Sequence, residues 1–216
     1  MKKLILVLLL VPLLNYGQKY GRTTVSNVYE VENVNASDLF SRINLVIANM
    51  YNSANDVIQL NDVESKKLVI KALGTVFFPN QNKYIYPRQK FFQDDVDWNV
   101  NYTLNIAARD GRYRMEINYG YVTRLNEVQG GTVASPYEAL IKPTDEEKKE
   151  AVLAKQKDFQ KSIWALISKK KKQRVLDSLP SNMDEVSDNL IKYSFDIFEG
   201  IHQKILESET KDDDDW

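Results

Sequence analysis

The stretch NVNYTLNIAARDGRYRMEINYGYV, Asn99 to Val122, decides the fold. Asp110-Gly111 sits between two alternating runs, and Asp-Gly is the favoured chemistry of a two-residue hairpin turn because both residue types tolerate positive φ. Setting Arg109 opposite Arg112 places Ala108 against Tyr113, Ile106 against Met115, Leu104 against Ile117, Tyr102 against Tyr119 and Val100 against Tyr121. Apolar meets apolar along that face, while the other face pairs Asn105 with Glu116 and Thr103 with Asn118. A one-residue slip would turn both sets over, so the register is strongly specified. One face is built for a core and the other for water or a ligand. Gly120 marks a bend in the second strand.

Working outward, Val57-Ile58-Gln59-Leu60 and Leu68 to Phe78 read as two strands joined across the polar turn Asn61-Asp62-Val63-Glu64-Ser65. A strand over residues 24–32 carries Val25, Val28 and Val31. After the capping residues Ala36-Ser37-Asp38, a helix follows, with Leu39, Phe40, Ile43, Val46, Ile47 and Met50 at three-and-four spacing. Beyond the hairpin, residues 123–142, with Gly130-Gly131 and Pro136, read as an irregular connection. Thr144-Asp145-Glu146-Glu147 opens a charged helix predicted to reach about Arg174. Leu179-Pro180-Ser181-Asn182 predicts a break. A second helix then carries Val186, Leu190, Ile191, Phe195, Ile197, Phe198, Ile201 and Ile205, apolar enough to lie on a sheet.

The order strand, helix, four strands, helix predicts an α+β fold, a curved antiparallel sheet covered on one face by helices, with one extra C-terminal helix. Residues 18–142 form the α+β domain, 143–207 the helical segment and 208–216 an acidic tail. Before them, Met1-Lys2-Lys3, the apolar run Leu4 to Leu14 and Gly17 read as an export signal, residues 1–17, cleaved after Gly17. The run is shorter than the ~20 residues that span a bilayer. No second run of membrane length follows. The chain has no cysteine, which removes lipid anchoring, disulfides and thiol chemistry. The expected location is the periplasm or cell surface, not as a lipoprotein.

With 29 basic and 30 acidic residues the formal charge is −1, which argues against a nucleic-acid partner. His202 is the lone histidine, so a tetrahedral zinc site, a Cys-His pair or a Ser-His-Asp triad has no parts. Asp94-Asp95-Val96-Asp97 lacks the spacing of a calcium loop and reads as a solvated turn. No catalytic residue, metal or cofactor is expected. Lys169 to Lys172 with Gln173-Arg174 is the one dense positive run. It is read as a helix end complementing the dipole, with anionic headgroups or a phosphorylated glycan as the functional alternative.

Two surfaces carry the binding chemistry. The first is an aromatic-rich loop in which Phe77, Phe78, Tyr84, Tyr86, Phe91, Phe92 and Trp98 are interleaved with Lys83, Arg88 and Lys90, the raw material of a recognition surface. Its bland alternative is that the loop folds back and completes the core. The second is the polar sheet face, with Asn101, Thr103, Asn105, Arg114, Glu116 and Asn118.

The chain resembles an exported bacterial family of unknown function, common in Bacteroidetes, with a TATA-binding-protein-like fold. The resemblance is carried by Asp38-Leu39-Phe40 opening the helix, by Ile58-Gln59 with Leu68-Val69-Ile70-Lys71-Ala72-Leu73-Gly74, and by Tyr102-Thr103-Leu104-Asn105-Ile106 through Arg109-Asp110-Gly111-Arg112-Tyr113-Arg114. The ending Asp214-Asp215-Trp216 is similar too. It implies a concave polar sheet face and supplies no catalytic residues. The expected function is a non-enzymatic binding or assembly module of the bacterial envelope, taking a protein, peptide or glycan partner. The alternatives are a glycan hydrolase pairing Glu116 with one of Asp94 to Asp97, and a structural protein whose helix over 144–174 pairs with a second copy as a homo-oligomer.

Overall fold

The computed structural model describes residues 19–51, 57–126, 131–138, 140–161 and 167–211. The expected export signal and the end of the acidic tail lie outside the described residues. The elements are β1 (Lys19–Tyr20), β2 (Thr24–Glu30), α1 (Ala36–Met50), β3 (Ile58–Asp62), β4 (Lys67–Pro79), α2 (Gln81–Ile85), β5 (Asp95–Arg109), β6 (Arg112–Asn126), β7 (Gly131–Glu138), α3 (Asp145–Lys161) and α4 (Lys169–Lys211). All seven strands join one curved antiparallel sheet in the order β1-β2-β6-β5-β4-β3, with β7 also paired to β6. The predicted α+β architecture is therefore present, with β1, β7 and the single-turn α2 added to it. β7 lies inside the span read as irregular, where Gly131 and Pro136 mask a short edge strand.

The hairpin keeps its predicted register from Arg109 opposite Arg112 to Tyr102 opposite Tyr119. Gly111 sits at φ 69, the left-handed region its turn requires. Past Tyr119 the pairing departs from prediction, and Val100 faces Val122 rather than Tyr121. Gly120 and Tyr121 together oppose Asn101, a bulge that adds twist and bends the strand. The bulge also divides one edge of β6 between two neighbours: Arg112 to Asn118 pair with β2, and Tyr121 to Asn126 pair with β7.

The Asp110-Gly111 turn is tied into the rest of the fold. Asp110 Oδ1 accepts from the Ala36 N–H at 2.8 Å, at the start of α1. The cap itself is Asn35, one residue before the predicted trio, whose Oδ1 accepts from the Ser37 and Asp38 amides at 3.0 Å each. From there α1 buries Leu39, Phe40, Ile43, Val46 and Ile47. They share one core with Leu68, Ile70, Leu104, Ile106, Met115 and Ile117 of the sheet and Leu190, Phe198, Ile201 and Ile205 of α4. Each large side chain so buried contributes roughly 1.5–3 kcal/mol.

The helical segment differs from prediction. α4 runs unbroken for 43 residues with Pro180 inside it, about 65 Å at 1.5 Å per residue. Pro180 removes one N–H from the ladder, and nearby the Ser178 hydroxyl donates to the Val175 carbonyl and the Ser181 hydroxyl to that of Ser178. Both halves are held by packing, the first on α2 and α3 and the second on the sheet. Lys169 to Lys172 therefore begin a helix instead of ending one, and the dipole argument does not hold for their own helix. Lys172 Nζ instead reaches the Phe159 carbonyl, in the last turn of α3, at 3.4 Å. The start of α3 is the predicted cap: Thr144 N–H donates to Glu147 Oε2 at 2.8 Å, and Glu147 N–H donates to Thr144 Oγ1 at 3.2 Å.

Candidate functional site

α1 and α4 cover the apolar face of the sheet, and no described helix lies on the other face. Pairing lines up cross-strand rows there. One row runs Ser26, Glu116, Asn105, Val69 and Leu60; the next runs Thr24, Asn118, Thr103 and Lys71; a third runs Val28, Arg114, Ala107 and Lys67. Asn101 lies further along, beside Leu73. The structure thus brings Thr103, Asn105, Arg114, Glu116 and Asn118 together, with Asn101 at their margin. Thr24 Oγ1 donates to Asn118 Oδ1 at 2.6 Å, and Asn118 Nδ2 donates to Glu116 Oε1 at 3.3 Å. Among these polar groups Leu60, Leu73 and Phe77 are exposed, Phe77 to 60%.

The aromatic loop divides. Tyr84 and Tyr86 pack on a second, smaller core of Ile85, Phe159, Val175 and Leu176. The Tyr84 hydroxyl donates to Asn182 Oδ1 at 2.8 Å, and burial raises its pKa above the ordinary phenol value. Trp98 packs against Phe78 with ring centroids 5.7 Å apart, at the edge of the main core. These members follow the bland alternative. Phe92 stacks on Tyr86 at 5.7 Å and meets Phe91 at 4.2 Å, while Phe91 is 72% exposed and Arg88 and Lys90 are exposed beside it. Between loop and α4 lies an open cleft of about 560 Å³, lined by Lys83, Tyr84, Pro87, Arg174, Asp177 and Ser178.

The carboxylates proposed for hydrolysis are not brought together. Glu116 stands opposite Asn105 and Asp97 opposite Phe77. The eight residue steps from Asp97 to Asn105 span about 27 Å of strand, against roughly 5–9.5 Å for a glycosidase pair. Among the described residues, no group of three or more His, Cys, Asp or Glu converges as metal ligands would.

Sequence reasoning missed a polar seam between the sheet and α4. The Tyr119 hydroxyl lies 2.7 Å from both the Leu190 carbonyl and Ser194 Oγ. Tyr29 donates to Glu199 Oε1 at 2.7 Å, and the Tyr113 hydroxyl lies 2.8 Å from His202 Nδ1. Burial pushes the Tyr29, Tyr113 and Tyr119 hydroxyls up and the His202 imidazole down. The available signal was the set of tyrosines at core positions of the hairpin, whose hydroxyls require partners on whatever covers them.

Residues 26–119 match the model of a domain of unknown function, DUF4468, with a TBP-like fold. No curated protein is similar to the chain in sequence. Among solved structures it is similar to a TBP-like protein from Parabacteroides distasonis, at 15% identity and a TM-score of 0.49 over 87% of this chain and 95% of that one. It is also similar to a DUF4468 family protein from Bacteroides ovatus, at 8% identity and a TM-score of 0.47 over 89% of this chain and 91% of that one. The span that matches the DUF4468 model, residues 26–119, carries α1, β3 to β5, most of β2 and the first half of β6, so the match to a TBP-like fold falls on the hairpin and the sheet that α1 covers.

Proposed function

We propose that the protein is an exported, non-enzymatic binding module of the bacterial envelope, whose partner is a protein seated on the uncovered sheet face. One observation carries the reading: that face sets exposed Leu60, Leu73 and Phe77 among the amides, hydroxyls and charges of Thr103, Asn105, Arg114, Glu116 and Asn118. Apolar side chains along β3 and β4 beside hydrogen-bonding groups on β5 and β6 combine the two kinds of contact that a protein interface uses. Export rests on the residue 1–17 signal, and intact mass of the chain recovered from its host tests it, with a mature start at Gln18 expected.

The binding test compares wild type with Thr103→Arg/Asn105→Arg in a pull-down from envelope extract, followed by reconstitution with the purified partner. The expected result is a partner lost in the double variant and, with wild type, slowed amide exchange over 101–107 and 112–118. Retention of every partner by a folded double variant would overturn the reading. Phe91→Ala serves as a control that leaves this face intact.

A further inference from the structure

Two basic stretches far apart in sequence meet at one end of the molecule. Lys171 Nζ, from the first turn of α4, lies 4.1 Å over the Tyr86 ring, and Tyr86 continues through Phe92 to Phe91 as a chain of ring contacts. This contact fixes the start of α4 beside the loop. Exposed Arg88 and Lys90 therefore lie on the same end as exposed Lys169, Lys170 and Arg174. Of the nearby carboxylates, Asp94 pairs with Lys83 at 2.8 Å, while Asp177, which accepts from Gln173 at 2.7 Å, and Asp95 and Glu185, which act on Tyr84, keep their charge on the cleft side, away from the Lys169 and Lys170 end of the patch's sequence. Phe91 stands out of this field, 72% exposed, an apolar ring flanked by cations.

We infer that this end of the molecule docks onto the surface of an anionic phospholipid bilayer, with the cations on the headgroup phosphates and Phe91 at the acyl boundary. The charge is spread over flexible lysines and an open cleft, which suits a diffuse array of headgroups. A single bound anion would need convergent donors in an enclosed pocket. An exposed aromatic among basic side chains is the pattern of interfacial attachment, where apolar insertion and attraction to anionic lipid act together. The net charge of −1 is a sum over the whole chain and does not register the local grouping of Arg88, Lys90, Lys169, Lys170 and Arg174.

The test is co-sedimentation of the full chain with vesicles of phosphatidylglycerol and phosphatidylcholine, against phosphatidylcholine alone. Lys2, Lys3 and the apolar run Leu4 to Leu14 are present in every variant, so the quantity read is the difference between wild type and variant on the anionic vesicles. Wild type is expected to prefer the anionic vesicles and to lose that preference as salt is raised. Lys169→Gln/Lys170→Gln/Arg174→Gln should lower partitioning onto anionic vesicles by roughly a hundredfold, from about fivefold per charge. Phe91→Ala should lower it by about tenfold while keeping the salt dependence. Equal binding to both lipids, or a folded triple variant that partitions like wild type, would overturn the inference. Tight binding to soluble heparin with no preference for anionic vesicles would also overturn it and assign the patch to a polyanionic polymer.

Discussion

Asp110 does two jobs at one position. It fills the turn that Asp-Gly chemistry demands, and its carboxylate accepts from the first amide of α1. Asp110→Ala should therefore cost about 1 kcal/mol, the ordinary value of a lost cap, measured as a fall in the urea midpoint at unchanged slope. Gly74 is constrained by what lies over it: a Cβ there would run into the ring of Tyr193, so Gly74→Ala has to push that tyrosine off the sheet. A destabilisation of roughly 1–3 kcal/mol is expected, with Tyr193→Ala in the same chain relieving part of it. His202 sets a pH dependence. Burial holds its imidazole below the ordinary value of 6.5 against the opposing charge of Glu199, with Tyr29 and Tyr113 packed on the ring. The unfolded chain then takes up the proton first as pH falls, so this group's contribution to stability is complete above pH 6.5 and is lost progressively below it. Stability of His202→Gln measured across that window should show a shallower acid-side slope than wild type.

Among the elements, α4 shows where local signals and tertiary packing disagree. Pro180 and the residues around it read as a stop followed by a new cap, yet the helix continues because buried Val175 and Leu176 lie before the proline and Leu190, Phe198, Ile201 and Ile205 after it. A Pro in a helix interior costs ~3 kcal/mol, so Pro180→Ala should raise the midpoint of thermal unfolding. The hairpin was legible to the residue because its two faces differ so sharply in polarity; the bulge was not, since Gly120 offers a bend without saying how many residues it adds. The polar sheet face was legible for the same reason as the hairpin. The fate of the aromatic loop was not, because Tyr86 and Phe91 are alike in sequence and differ only in whether a distant helix reaches them.

At the scale of the molecule, two cores of unequal size share α4. The smaller one, Ile85, Phe159, Val175 and Leu176 with its surrounding aromatics, shares α4 with the larger and is tied to it at the end of β4 and at the start of α3, where Ile141 enters the larger core. Amide exchange should therefore show α2, α3 and the first third of α4 opening at lower free energy than β5 and β6. Phe159→Ala should widen that gap while leaving exchange of the hairpin unchanged. The sheet itself is unevenly bordered: β3 accompanies β4 only from Lys67 to Ile70, and among the described residues no strand follows Lys71 to Pro79 on that side. Asn189, reaching over from α4, donates its side-chain amide to the Phe77 carbonyl at 2.9 Å. It occupies an acceptor that an incoming strand would use, on an edge that otherwise invites polymerisation. The long helix is thus a guard as well as a roof, and a chain without that one amide would be expected to find its own kind and lengthen the sheet from molecule to molecule.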